Sequence, residues 1–475
     1  MDKAGAGCNH HGMKNAPLPA AAVALLLSLA TLASRVAVLG RSVLDWDESL
    51  YFLMARAWLH GHLPYTTIWD NKPIGIYVIF AVFQAVFGGV PAMRLASVAC
   101  VSLLGFCVFK ITERMTGERA AAWVAGGALV LCSLSNDGLS ANTELFMAVF
   151  TAMAVWAVLA GRSGWLVGAL LGAAFMVKYV AVFEAPVVFL LFLARRRRIG
   201  AGVEVILGAA LPLLAVVALY AAAGRLGLWW DCSVASNFRR VDVAMNQGAL
   251  DYALHIELWR WGPLYMLGFA LLPLAFWRRE AVFPAAWLLA GLAGVAVAKS
   301  FYDHYFLQVL PVLCVSLGLW CSLLPRGRVL ARAGFVALAL ALPAWAAKVA
   351  LQEATVPDVT AQVGADLAAR RPASLYVFDS QPILYALSGQ TPPTRFVLPS
   401  ELVGRSLPRV AGVDAAAEVA RILAGKPQFI VCRAPAPTNP AVVNPAVYAL
   451  MRQALAARYR LWRAYPGVAV YEIRY

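Results

Sequence analysis

Eleven apolar runs, most of them near the length that a lipid bilayer demands, dominate this chain and restrict what it can fold into. A hydrocarbon core about 30 Å thick needs about 20 mostly apolar residues per helix. Such runs fall at roughly 17–39, 91–111, 119–135, 143–160, 164–178, 180–194, 200–221, 261–277, 281–298, 305–324 and 329–348. Composition agrees: 61% of the 475 residues are hydrophobic, 14% are charged and the mean hydropathy is +0.70, too apolar for a water-facing surface. The sequence therefore predicts a polytopic, all-α membrane bundle of about eleven transmembrane helices.

The fifth and sixth runs are short and meet at Lys178-Tyr179, so one long helix over 164–194 is the competing count. Lys and Arg gather in cytoplasmic loops, and their placement decides between the two. With the N-terminus (Lys3, Lys14) inside, eleven spans put Lys110, Arg114, Arg119, Arg162, Arg195 to Arg198, Arg278, Arg279, Arg326 and Arg328 on the cytoplasmic side. Merging the two runs sends Arg195 to Arg198 outside. The outside segments are then 40–90, 136–142, the surroundings of Lys178, 222–260, 299–304 and everything after 349. The first run reads as an uncleaved span, because Arg35 sits late in it and no small-x-small cleavage site follows. The +15 charge balance thus reflects loop anchoring and argues against nucleic acid as a partner. Eight cysteines without CxxC spacing, mostly in apolar runs, indicate neither a zinc site nor a disulfide framework.

After residue 349 the pattern changes. Alternating runs at Ser374–Asp379, Gln428–Cys432 and Val468–Ile473 predict strands, 444–458 predicts a helix, and the Pro-rich stretch 434–445 predicts a surface loop. The expected division is a membrane domain over 1–349, whose first outside loop (40–90) carries interfacial helices, and a soluble extracytoplasmic α/β domain over 350–475.

Chemistry-bearing residues cluster at the outer ends of the spans. Asp45, Asp47 and Glu48 follow the first span and precede a helix whose apolar stripe of Leu50, Leu53, Met54, Ala57 and Trp58 suits the membrane interface. A capping box accounts for Asp45 and Glu48 and leaves Asp47 free to accept a proton as general base. Lys72, in Asp70-Asn71-Lys72-Pro73, holds a cation at the start of the next apolar run, where the helix dipole disfavours it; an anionic partner such as phosphate would compensate. A snorkelling lysine is the plainer reading of that position. Glu144, in Asn142-Thr143-Glu144, begins a span, where an ionisable group tends to face a cavity or a partner. Lys299, Tyr302 and His304 bring donors to the outer boundary, and Arg239 with Arg240 form either an anion clamp or a solvated pair.

In this order and on this side, the residues resemble the GT-C superfamily of membrane glycosyltransferases, in particular the aminoarabinose transferase, protein O-mannosyltransferase and bacterial core-sugar transferase branch. The resemblance rests on Asp47-Glu48-x-x-Tyr51, then Gly61, Pro64-Tyr65, Asp70 and Lys72-Pro73, on Asn142-Thr143-Glu144, and on His304-Tyr305-Phe306-Leu307-Gln308-x-x-Pro311. It covers most of residues 40–320. Ile74 stands where many relatives have a second proline.

The resemblance implies a GT-C bundle in the bacterial inner membrane. It implies transfer of one sugar, with inversion, from a polyprenyl-phosphate donor to a hydroxyl of an extracytoplasmic acceptor: lipopolysaccharide core or lipid A, a surface polysaccharide, or a protein. It makes Asp47 the general base, with Glu48 beside it as a catalytic candidate. The donor phosphate falls to Lys72, Lys299, Tyr302, His304, Arg239 and Arg240. Asp45, Tyr51, Asp70 and Glu144 form an acceptor, sugar or second acidic site. No cofactor is required, and a divalent cation (Mg or Mn) would find its ligands at Asp47 and Glu144. A secondary transporter or flippase is the main alternative, but it would show repeats and polar breaks near the midplane, whereas here the ionisable groups sit mainly at span ends. A lipid-binding scaffold without turnover is a further one.

Overall fold

A computed structural model describes residues 18–196, 199–241, 247–437, 439 and 443–474. Lys3, Cys8, Lys14, Arg197, Arg198 and positions 438 and 440–442 of the Pro-rich stretch lie outside the described residues.

The chain is a multi-pass helical membrane protein with a small C-terminal sheet. Among the described residues, six helical segments are long and apolar enough to cross a bilayer, beginning at Ala20, Pro91, Gly200, Arg279, Asp303 and Val329. Shorter apolar helices fill the remaining runs, among them Arg119–Cys132, Thr143–Leu159 and Gly164–Val177. Pro91–Thr116, Thr143–Leu159 and Leu310–Leu323 bury most of their side chains and form the centre of the bundle. Ile199–Ala222 and Val329–Ala354 instead turn aliphatic side chains such as Ile206, Leu214, Leu330 and Leu338 outward, as lipid-facing helices do.

Two details follow directly from charge. The fifth and sixth runs form separate helices, Gly164–Val177 and Ala181–Arg196, because Lys178 between them is extended (φ −153°, ψ 127°) and its ammonium turns to Glu144. The eighth helical stretch runs over Gln247–Phe269 and breaks at Trp261 (φ −124°, ψ 16°), where the expected span 261–277 begins. Its charged half is paired inside the protein: Glu257 accepts from Asn136 and Tyr265, and Arg260 reaches Asn136 and Asp303. Hydropathy alone discounts such residues, so the expected span takes in only the part after the break.

The helix Trp46–Leu59 departs from a one-striped interfacial helix. Glu48 to Ala55 are buried on every face, since Gly75–Phe87 packs on one side and the C-terminal region on another, where Arg56 donates to the Ala386 carbonyl at 3.4 Å.

The C-terminal sheet has four strands, β1 (Leu375–Val377), β2 (Phe429–Arg433), β3 (Tyr459–Tyr465) and β4 (Val468–Ile473), in the order β1-β2-β4-β3. Helix Pro445–Arg458 and β4 lie where the sequence pattern predicts them; β3 follows the helix without a break and lacks clean alternation. β1 and β2 are parallel, and a parallel pair needs a long crossover. That crossover, 378–428, carries Arg395, whose guanidinium donates to the Tyr65 carbonyl at 3.1 Å, and so reaches the turn that follows helix Trp46–Leu59.

Candidate active site

The site is assembled where six chain segments meet at one end of the bundle. The first is the start of helix Trp46–Leu59. Asp45 is its N-cap, accepting from the Asp47 N–H at 3.2 Å, and Glu48 folds back to accept from the Leu44 and Asp45 N–H groups. The cap thus pins Glu48 inward. There it meets Arg94 in a fully buried ion pair and also accepts the Ala141 N–H at 3.1 Å, which uses its oxygens completely. Glu48 therefore does not line the cavity; it locks three segments together. Asp47, one residue earlier, points the other way.

The second segment is the turn Asp70-Asn71-Lys72-Pro73. It is held from below by Tyr65, whose hydroxyl donates to the Lys72 carbonyl at 2.6 Å, and by Asn237, whose amide donates to the Asn71 carbonyl at 2.7 Å. Gly75 lets the turn rest on the end of helix Gly164–Val177: a Cβ there would lie 2.4 Å from the Met176 carbonyl oxygen, so only glycine fits. This seating aims Lys72 at Asp47, 3.1 Å away, and Asp70, 3.6 Å away, with its ammonium 5.0 Å above the Tyr51 ring. The Tyr51 hydroxyl also donates to Asp47, at 3.1 Å. The anion that compensates Lys72 at the helix start is here the protein's own carboxylate.

The third and fourth segments are the loop around Asp137 with Glu144, and Lys178 with Tyr179. The fifth is the turn Tyr302–Tyr305. Glu144 is buried and ion-paired to Lys178. His304 sits among three carboxylates, Asp45 at 3.8 Å, Asp137 at 3.7 Å and Glu144 at 3.9 Å, and stacks on Tyr302. Arg240 enters from helix Ser236–Val241 and donates to the Tyr305 hydroxyl at 3.2 Å. Together these segments enclose a cavity of about 560 Å³ lined by Asp45, Asp47, Asp70, Lys72, Asp137, Lys178, Arg240, Tyr302 and His304, with Glu401 from the C-terminal domain.

The electrostatics divide the carboxylates. Burial, and then the neighbouring Asp47 charge, push the Asp45 carboxyl up to about 7. Asp47 is partly shielded from water too, which would raise it, but Lys72 and His304 outweigh that and hold it at about 2. Burial raises Asp70 against the pull of Lys72, and lowers the Lys178 ammonium against the pull of Glu144. Two neighbouring carboxyls driven apart in this way are suited to different tasks.

Of the expected site residues, the structure brings Asp45, Asp47, Asp70, Lys72, Arg240, Tyr302 and His304 to one cavity, with Tyr51 and Glu144 behind its wall. It leaves three elsewhere. Glu48 is sealed against Arg94. Arg239 pairs with Asp231 at 2.9 Å and donates to the Val410 carbonyl, at the contact with the C-terminal domain. Lys299 follows the helix Arg279–Val297 in a left-handed turn (φ 56°) and is not part of the cavity wall. The residues not foreseen are Lys178, Asp137, Asn237 and Glu401. Lys178 carried a signal, as a cation interrupting an apolar stretch; Glu401, over 300 residues downstream, carried none.

The two carboxylates expected to hold a divalent cation are both engaged. Asp47 and Glu144 each face a lysine where the ion would sit, and among the described residues no group of three or more His, Cys, Asp or Glu is placed to hold a metal.

The model of the dolichyl-phosphate-mannose-protein mannosyltransferase family matches residues 71–221. No curated protein matches the chain. Among solved structures, ArnT from Cupriavidus metallidurans bound to undecaprenyl phosphate is similar with a TM-score of 0.68 at 15% identity, covering 96% of this chain and 98% of that one. The apo form of the same enzyme gives 0.64 at 15% identity, covering 95% and 98%. The oligosaccharyltransferase of Archaeoglobus fulgidus in its apo form gives 0.54 at 13% identity, covering 87% of this chain and 69% of that one. The fold is that of the GT-C membrane glycosyltransferases.

Proposed function

We propose that this chain is a membrane glycosyltransferase that moves a single sugar from a polyprenyl-phosphate carrier to an acceptor hydroxyl on the outer face of a bacterial inner membrane. The observation that carries the reading is the Asp47–Lys72 pair, a carboxylate and an ammonium 3.1 Å apart on the wall of a cavity at one end of the helical bundle. The matched structures of this fold include one with undecaprenyl phosphate bound.

The pair also suggests how the two halves of the reaction are ordered. Held at about 2 by Lys72 and His304, Asp47 is a poor base in the free protein. A carrier phosphate entering the cavity offers Lys72 a stronger anion, with Arg240 and His304 close by. As the lysine turns to the phosphate, the Asp47 carboxylate loses its clamp and becomes more basic. It then takes the proton of the acceptor hydroxyl as that oxygen bonds to the anomeric carbon. The bond from the anomeric carbon to the phosphate oxygen breaks, its electron pair stays on the phosphate, and Lys72 and Arg240 stabilise the growing charge. Attack opposite the leaving phosphate inverts the anomeric centre. Donor first, base second, limits loss of the sugar to water.

In this orientation the N-terminus is cytoplasmic and the C-terminal domain is extracytoplasmic. The acceptor is lipopolysaccharide core or lipid A, a surface polysaccharide, or a protein. The test is mass spectrometry of glycolipids and surface glycans from cells with and without the chain, and with Asp47→Asn. A missing sugar residue with build-up of its polyprenyl-phosphate donor is expected in both mutants. Unchanged glycans in cells that demonstrably make the wild-type protein would sink the reading.

A further inference from the structure

The cavity has one wall that the reaction as described does not use. It is formed by the crossover between β1 and β2, where the short helix Pro399–Leu402 brings Leu398, Ser400 and Glu401 against the membrane domain. Glu401 is 1% exposed. One carboxyl oxygen, Oε2, accepts the Leu398 N–H at 3.2 Å and closes the helix start. The other, Oε1, is buried with no hydrogen-bond partner. A buried polar oxygen without a partner is destabilising and rare in a folded protein. The Glu401 carboxyl is pushed well above the usual carboxylate range, first by burial and then by Asp70, with Lys72 and Asp47 also within electrostatic reach. Glu401 therefore faces the same space as the phosphate-binding lysine and the base, from the opposite domain.

In a transfer of this kind the sugar lies between the carrier phosphate and the base, so whatever reaches that gap from the far wall touches the sugar. We infer that Glu401 is a specificity-determining residue of the C-terminal domain, its free oxygen hydrogen-bonding a hydroxyl of the donor sugar. This rests on the glycosyltransferase reading. A site built to pair with a hydroxyl discriminates strongly against a ligand that lacks it, because the buried group is then left unpaired. The membrane domain thereby recognises the lipid phosphate common to all such donors, and the crossover of the C-terminal domain selects the sugar.

The test uses the full-length protein in lipid nanodiscs and two kinds of probe: polyprenyl phosphate itself, and polyprenyl-phosphate monosaccharides carrying glucose, mannose, galactose or arabinose. Wild type is expected to bind polyprenyl phosphate, and at least one glycosylated carrier more tightly. E401A should weaken the preferred glycosylated carrier about tenfold, with binding of polyprenyl phosphate unchanged. E401Q, whose oxygen can still accept the Leu398 N–H while its amide N–H donates to a sugar hydroxyl at the same reach, should retain most of the preference. Should E401A fail to accumulate, E401D replaces it: withdrawing the oxygen by one methylene should give the same selective loss. Equal weakening of both probes would make Glu401 structural and overturn the inference, as would a wild type that does not distinguish any glycosylated carrier from the bare one. Failure of wild type to bind polyprenyl phosphate at all would overturn the glycosyltransferase reading instead.

Discussion

Two ion pairs start from adjacent residues of one helix and do opposite things. Glu48–Arg94 is sealed between the first outside segment, the helix Pro91–Thr116 and the loop at Ala141, with side chains 0% and 1% exposed and every carboxylate oxygen occupied. Asp47–Lys72 lies on the cavity wall with side chains 25% and 17% exposed, so a third party can reach both partners. A buried pair that is fully satisfied is a fastener, whose loss costs more than its presence contributes. A pair left open to a cavity can be exchanged for a ligand. Adjacent acids in a sequence motif therefore need not share a role, and the capping geometry decides which is which.

The largest expected effect breaks the fastener. E48A strands the Arg94 guanidinium without its counter-ion and should destabilise the fold by about 3–5 kcal/mol, seen as a lower melting temperature and poor yield. If E48A melts like wild type yet loses turnover, the contrast drawn above is wrong and Glu48 belongs to the chemistry.

On the open pair, D47N should lower turnover by about 10²- to 10⁴-fold, the range for a lost general base, while the melting temperature stays near that of wild type. Transfer at the wild-type rate would remove Asp47 from its role.

K72Q sharpens the comparison further. It should weaken polyprenyl-phosphate binding by about tenfold to a hundredfold, as expected for a lost charge-assisted contact. Lys72 is also what chiefly holds Asp47 at about 2. Without it the Asp47 pKa rises, so residual activity should fail at a higher pH on acidification than in wild type. An unshifted acid limb would show that Asp47 is not clamped by Lys72.

The smallest effect concerns Asp45, the cap that both pairs share. Its carboxyl is raised to about 7 by burial and then by Asp47, against an unfolded value of about 3.9, so the folded state holds more protons in between. Stability contributed by the protonated form is present below about 4 and lost as pH rises through about 7. D45N keeps the cap and removes the charge, so its melting temperature should gain on wild type as pH rises across that window and then level off. A difference independent of pH would contradict the raised value.

Much of this site was legible in the chain. The capping box at Asp45 and Glu48 is written in local spacing, and the misfit of Lys72 at a helix start announces a partner. The break at Lys178 follows from the arginines at 195–196 that must reach the cytoplasmic side. What was not legible came from distant pairing. Arg94 lies 46 residues from Glu48 and reads on its own as one charge near the start of a span. The eighth helix hid its charged half, because Glu257 and Arg260 are neutralised by Asn136, Tyr265 and Asp303 rather than by water. Arg239, beside Arg240 in sequence, is turned by one helical step to Asp231.

By itself the sequence determined that the chain is an α-helical membrane bundle with a C-terminal α/β unit, since bilayer thickness and strand alternation impose periods that few residues can hide. It also determined that acids and cations collect at the span ends, because the hydrocarbon interior excludes them. Only the tertiary structure decided which of them face one cavity, which are spent as fasteners, and that a glutamate from the crossover of the C-terminal sheet lines the far wall. Those assignments depend on which side chains lie within a few ångströms of each other across the fold, and the strength of a charge pair or the cost of an orphaned oxygen is set by that distance and by exclusion of water, neither of which a linear order of residues contains.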